Sequence, residues 1–264
     1  MGRRHATGVQ STARVALVTG RSAGSNSFLV TCEHGGNRIP VSYRPLFRGH
    51  QQLLDTHRGY DPGALLMAKA LARSFDAPLV TSTVSRLVVD LNRSIGHHRL
   101  FSTTTRQASP EVRASIIKQH YLPYRAEVER LVRQVVSRGR RVIHISSHSF
   151  TPVLDDHVRK ADVGLLYHPA RGGERDLCAR WKASLAVSAP PIRVRRNYPY
   201  AGKGDGLTSW LRLQFPPGAY VGIELEVNQR IVLGAARHWS ALRRVLISSL
   251  HTACTQRNSA SGDT

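Results

Sequence analysis

The sequence predicts an α/β fold: three layers, with a mixed, largely parallel sheet and helices on both of its faces. Three observations lead there. Short apolar runs of strand length alternate with helix-length segments along most of the chain, the order that β-α units generate. The 264 residues are 41% hydrophobic, enough for a core of the size such a fold buries. No linker of biased composition and no internal repeat interrupts the chain, so residues 1–264 read as one domain with loose polar tails at 1–14 and 255–264.

The elements follow in order. Residues 15–18 and 28–32 are short apolar strands, and the second stops sharply at Glu33-His34-Gly35-Gly36-Asn37. Residues 37–60 are polar and irregular, with Pro40 and Pro45. Asp61-Pro62-Gly63 opens a helix, Asp as its cap and Pro in its first turn. Leu65, Leu66, Ala68, Leu71 and Ala72 continue it at helical spacing, and Pro78 follows it. Residues 79–84 and 87–91 are strand candidates, and 94–109 a loop rich in His, Ser and Thr. A long helical stretch runs from 110 to 138, interrupted near Pro123 and ended by Gly139. Strands are expected at 142–146, 163–167 and 219–227, and helices at 176–187 and 235–252. Residues 196–217, rich in Gly and Pro, read as a loop whose Gly202–Gly206 portion is a mobile flap beside Tyr200.

Bulk properties exclude several classes. No apolar run approaches the ~20 residues of a membrane span, and 15–18 is too short for a signal-peptide core. The chain is therefore read as soluble and cytoplasmic. Cys32, Cys178 and Cys254 are few, distant and odd in number, and no Cys-x-x-Cys occurs, so neither a disulfide framework nor a zinc ribbon is indicated. The net charge of +21 raises nucleic-acid binding. Against it, only five of the 38 basic residues are Lys, a skew typical of composition bias; the basic residues are scattered; and aromatics are 6%. No Gly-x-Ser-x-Gly surrounds Ser147 or Ser149, which argues against a serine nucleophile.

Polar clusters close to the ends of predicted strands carry the chemistry, because sites in open α/β sheets form beyond the strands' carboxyl ends. They are Glu33-His34, Arg86 with Asp90-Leu91-Asn92-Arg93, His148-Ser149, and Glu224 with Glu226. Neutral imidazoles at two strand ends suit a divalent metal, and a catalytic zinc takes about three protein ligands and a water. His34 and His148 therefore lack one carboxylate. Alternatively, each is an ordinary loop histidine, one of 13 in the chain.

Seven strings in register resemble the N-formylglutamate amidohydrolase family. They begin at Glu33-His34-Gly35-Gly36-Asn37-Arg38-Ile39-Pro40 and His57-Arg58-Gly59-Tyr60-Asp61-Pro62-Gly63. Next come Ser85-Arg86 through Asp90-Leu91-Asn92-Arg93-Ser94, and 144–152 around His148. The last are 162–167, Asn197-Tyr198-Pro199-Tyr200 and Glu226-Val227-Asn228-Gln229. That family is similar to zinc carboxypeptidases and aspartoacylase-like deacylases, so the resemblance implies a phosphorylase/hydrolase-like, zinc-carboxypeptidase-like fold. It also implies a bound Zn2+ or another divalent metal, and a small-molecule substrate, an N-acyl (N-formyl) acidic amino acid.

By the same resemblance His34 and His148 are metal ligands, and Arg86 polarises the scissile carbonyl. Asn92 and Arg93 hold the substrate carboxylate, and Asn197 and Tyr200 also bind substrate. Glu226 is the general base, Glu224 the alternative two residues away. One departure matters: Asn37 stands three residues after His34 where the relatives carry a ligating Glu, and an amide is a poor zinc ligand. The helix that the Glu opens in those relatives is opened here by Asp61, so Asp61 is the proposed third ligand, with Glu33 the alternative. Two rival readings stay open. One is a related deacylase or peptidase with a different substrate; the other is an Arg-rich binding protein on a hydrolase scaffold.

Overall fold

The computed structural model describes residues 9–11 and 26–256. Strands β1 (Val9–Ser11), β2 (Asn26–Cys32), β3 (Leu79–Ser82), β4 (Arg141–Phe150), β7 (Val163–Leu166), β8 (Val194–Arg196) and β9 (Tyr220–Asn228) form one sheet in the order β1-β3-β2-β4-β9-β7-β8. A separate hairpin joins β5 (Val153–Leu154) to β6 (His157–Val158). Parallel pairing links β3 to β2, β2 to β4, β4 to β9 and β7 to β8, while β1–β3 and β9–β7 are antiparallel.

The helices are α1 (Gln51–Leu54), α2 (Ala64–Ser74), α3 (Thr103–Arg106), α4 (Pro110–Ile116), α5 (Leu122–Val136), α6 (Gly172–Ser188), α7 (Leu207–Gln214), α8 (Gln229–Val232) and α9 (Ala236–Thr255). Two apolar clusters make the layers. On one face, Met67 and Leu71 of α2, Trp181 and Leu185 of α6, and Leu246 and Leu250 of α9 bury Val30, Ile145 and Ile223. On the other, Tyr124 and Val128 of α5 and Leu207 and Leu211 of α7 bury Leu29, Val80 and Val142. Strand alternation explains the split, since successive side chains point to opposite faces. The predicted three-layer mixed sheet is the fold observed. No helix among the described residues is long and apolar enough to cross a membrane.

Several elements differ from expectation, each for a local reason. The strand expected at 15–18 lies outside the described residues, as do most of the tails; Val9–Ser11, inside the expected loose N-terminus, pairs with β3 as an edge strand. Residues 87–91 are not a strand. Leu87, Val88, Val89 and Leu91 are buried in the second apolar cluster, but Ser85 accepts from the Leu87 N–H through its hydroxyl and from the Val88 N–H through its carbonyl, closing a turn. Part of the expected loop at 196–217 is α7, held by Leu207 and Leu211 one turn apart on its buried side. The irregular 37–60 segment holds α1 and a 3₁₀ helix at Val41–Phe47. The interruption near Pro123 is a π-helical turn at Ile117–Tyr121, which lets Pro123 fall in the first turn of α5.

Strand β4 does not stop at Ser146. Its pairing with β2 ends at Thr31–Ser146, while its pairing with β9 continues through His148–Glu226 to Phe150–Asn228. His148 thus projects from a regular strand into the space vacated where β2 has ended.

Candidate metal centre

Alternation along β4 puts His144, Ser146 and His148 on one face of the sheet, and the parallel register puts Glu224 and Glu226 beside Ser146 and His148. Polar side chains thus replace apolar ones at the carboxyl end of this face. Deeper in, His144 bonds Thr31 Oγ1 (2.8 Å) and the Tyr220 hydroxyl (2.6 Å), and burial pushes its imidazole down to about 4, so it is a neutral strut.

At the top of the stripe His34, Asp61 and His148 meet, all buried, with one ligand atom of each within 4.8 Å of the others. Oδ2 of Asp61 lies 3.3 Å from Nδ1 of His34 and 3.0 Å from Nδ1 of His148. Both imidazoles therefore turn the same nitrogen toward one point. Their other nitrogens have partners behind: Nε2 of His34 is 2.7 Å from Asp90 Oδ1, and Nε2 of His148 is 3.0 Å from Glu33 Oε2 and 2.8 Å from Ser146 Oγ. A carboxylate behind each imidazole fixes the tautomer that leaves Nδ1 as a donor of electrons.

Asp61 and Glu33, the two carboxylates weighed as a third ligand, stand on opposite sides of the His148 ring. Glu33 sits behind His148, where the hydroxyls of Ser146 (2.6 Å) and Tyr124 (2.8 Å) donate to its two oxygens. Asp61 sits in front of both rings. Nor does Asp61 cap α2: that helix starts at Ala64 after Gly63 in the left-handed region (φ 76°), with no side-chain cap. The chain needs glycine there to bend back while the Asp61 carboxylate stays aimed at the histidines.

The electrostatics favour a cation. Burial alone would raise the carboxyls of Glu33, Asp61 and Asp90, yet all three are held well below the usual range. His148 and Ser146 outweigh burial for Glu33, the two histidines and Arg86 for Asp61, and Arg86 and His34 for Asp90. Burial opposes a proton on His148, but Asp61 and Glu33 hold it there well above the ordinary histidine range. Arg86 reaches Asp61 Oδ1 (3.2 Å) and Asp90 Oδ2 (2.8 Å). Even with the Arg86 guanidinium and a protonated His148, the three buried carboxylates leave net negative charge at the centre, which a bound cation would offset. The donor set of two imidazoles and a carboxylate fits such an ion.

Glu226 and Glu224 separate cleanly. Glu224 accepts the Thr208 hydroxyl at 2.6 Å. Glu226 is buried with Oε2 lacking any hydrogen-bond partner among the described residues, and burial, with Asp61 and Glu224 adding against the pull of His148, pushes its carboxyl up to about 8. Gly164 lies across from it on β7, and a Cβ there would come within 3.2 Å of Glu226 Cβ.

The other predicted residues lie around this centre in different ways. Asn92 accepts the Leu207 N–H at 2.7 Å, and Arg93 donates to the Asp205 carbonyl at 2.8 Å. Asp205 in turn accepts from the N–H and hydroxyl of Ser94, while Gly202 donates to Asn197 and accepts from Arg212. Hydrogen bonds thus tie the Gly202–Gly206 segment at both ends in this conformation. Asn197 (φ 49°) spends its side-chain oxygen on the N–H groups of Tyr167 (3.0 Å) and Gly202 (3.2 Å), shaping the loop that carries Tyr200. Tyr200 is 47% exposed and accepts from Arg159. Sequence reasoning assigned no role to Asp90, Ser146 or Tyr124. The spacing His144-x-Ser146-x-His148 on one strand was the available signal for Ser146; nothing in sequence links Tyr124 to Glu33.

A family model for N-formylglutamate amidohydrolases matches residues 26–233. A gene product of Agrobacterium tumefaciens is similar in structure, with a TM-score of 0.77 and 25% identity over 94% of this chain and 95% of its own. N-formylglutamate amidohydrolase from Ralstonia eutropha JMP134 aligns with a TM-score of 0.66 and 18% identity over 94% of this chain and 97% of its own. None of the curated proteins matches the sequence. The matched segment runs from β2 to just past α8 and includes every residue of the centre described above: the chain belongs to the N-formylglutamate amidohydrolase family.

Proposed function

We propose that this protein is a zinc-dependent amidohydrolase that removes the N-acyl group, formyl by family, from an acidic amino acid such as N-formyl-L-glutamate. The observation that carries this reading is the convergence of His34 Nδ1, His148 Nδ1 and Asp61 Oδ2 beside the unpartnered carboxyl oxygen of Glu226. A divalent ion held by His34, Asp61 and His148 would polarise the scissile carbonyl and make water a better nucleophile near neutral pH.

The chain's own groups supply the rest. Asp90 and Glu33 fix the two imidazoles. Glu226 takes a proton from the attacking water as the C–O bond forms, and gives it to the amide nitrogen as the C–N bond breaks, releasing the acid and the free amino acid. The Glu226 carboxyl, raised by burial in the metal-free protein, must be ionised to take the first proton, and the charge of a bound cation beside it would favour that form. Arg86 stands at the rim of the centre, where its charge favours the developing oxyanion. Asn92 and Arg93, fixed by the 205–207 segment, hold the substrate α-carboxylate, for which a guanidinium fork is suited. Tyr200 flanks the opening.

The test is metal analysis of purified protein, followed by assay of N-formyl-, N-acetyl- and N-succinyl-L-glutamate. Expected are about one metal per chain at a single site, formate release that chelation abolishes, and recovery on adding zinc. Preference for an acetyl or succinyl substrate would move the protein to a related deacylase. Absence of metal together with absence of hydrolysis would overturn the reading.

A further inference from the structure

A cleft of about 490 Å3 adjoins the centre and shares Arg86 and Asp90 with it. Its remaining basic lining is Arg58, Arg99 and Arg106 with the imidazoles of His57 and His98, contributed by separate stretches of chain. Four arginines thus face a single carboxylate, and Asp90 is already engaged by His34 and Arg86. Arg106 donates to the carbonyls of His98 and Phe101. The guanidinium groups of Arg58 and Arg99 make no hydrogen bond or ion pair among the described residues. The excess charge is felt within the cleft: burial and then the positive charges of Arg58, Arg86 and Arg159 hold the His57 imidazole below its usual range. Unpaired guanidiniums around a concave space, with no anion supplied by the chain, make a receptor for one.

Building on the amidohydrolase reading, we infer that this cleft receives the side-chain carboxylate of the substrate, with Arg58 and Arg99 as its specificity-determining residues and Arg106 supporting them. A substrate whose amide lies at His34, Asp61 and His148, with its α-carboxylate toward Asn92 and Arg93, has its side chain left to place. The adjoining space is positively charged. The ligand class is an N-acyl amino acid with an acidic side chain, a dianion; a neutral side chain of equal length gains nothing from this wall.

The experiment compares kcat/KM for N-formyl-L-glutamate and N-formyl-L-glutamine in the metal-loaded protein, its Arg58→Ala/Arg99→Ala variant, and an Arg237→Ala variant. Arg237 lies exposed on α9, away from the cleft, and reports the effect of bulk charge alone. The expected result is a preference for the glutamate substrate that falls roughly tenfold or more in the double variant, the scale of losing charge-assisted hydrogen bonds, and holds in Arg237→Ala. An unchanged preference in the double variant, or an equal fall in Arg237→Ala, overturns the inference while leaving the amidohydrolase reading intact. Should neither substrate be hydrolysed, that reading fails, and calorimetric binding of glutarate decides the cleft separately. Weakening by roughly tenfold in the double variant supports it, and equal affinity sinks it.

Discussion

The imidazole rings of His34 and His148 lie 5.1 Å apart with their planes inclined by 59°, and both direct Nδ1 at the same oxygen of Asp61. One ring follows the end of β2; the other rides on β4 where β2 no longer covers it. Each is held from behind by a carboxylate, and that arrangement underlies the outcomes expected below.

Asp61→Asn should abolish tight metal binding, because the amide is a weak ligand and removes the negative charge common to both histidines. Glu33→Gln should act more gently: it loosens His148 without removing a donor atom and should weaken affinity by ~10–100-fold. Equilibrium dialysis with zinc measures both. Unaltered affinity in Asp61→Asn would remove it from the ligand set.

Glu226→Gln should retain metal and lower kcat by ~10²–10⁴, the scale of a lost general base. Glu224→Gln should cost far less, since an amide oxygen can still accept the Thr208 hydroxyl. Steady-state kinetics of the two variants distinguish them. A dead Glu224→Gln beside an active Glu226→Gln would reverse the roles.

The pH dependence of stability has a definite sign at Glu226. Its folded-state value of about 8 lies above the ordinary glutamate value, so between roughly pH 4.5 and 8 the folded protein holds a proton that the unfolded chain has released. Stability from this group is complete below that window and is lost as pH rises through it, by ~1.4 kcal/mol for each pH unit crossed. Glu226→Gln cannot titrate. In the presence of chelator, its Tm relative to the parent should climb from pH 5 to pH 8. A flat difference would mean that the carboxyl is not raised.

The arginines should separate by kinetic parameter. Arg93→Ala removes a contact made before and during reaction, so KM for an acidic substrate should rise with little change in kcat. Arg86→Ala should depress kcat, because its partner charge develops in the transition state. It also leaves Asp61 and Asp90 without their guanidinium, so thermal stability of the metal-free protein should fall by a few kcal/mol (~3–5). An unchanged KM in Arg93→Ala would dismiss the carboxylate clamp.

The alternation of apolar runs and helical segments was enough to specify the three-layer sheet, because burial on two faces imposes its period on every strand and helix. Residues 87–91 escaped that logic: their apolar side chains are buried as in a strand, but the Ser85 hydroxyl settles the backbone as a turn, and periodicity does not register hydrogen bonds. At the centre, residue type named His34, His148 and Glu226, since imidazoles and carboxylates beside apolar strands need partners. Which carboxylate completes the set was not decided locally. Asp61 carries an ordinary helix-start pattern in sequence; only the fold, by bending the chain at Gly63 and ending β2 before β4, turns its oxygen toward both histidines. Glu33 adjoins His34 in sequence, yet Tyr124 and Ser146, brought in by α5 and β4, hold it behind His148. Neighbours along the chain set what each side chain can do. Distances between segments set which partner it meets, and those exist only once the layers have packed.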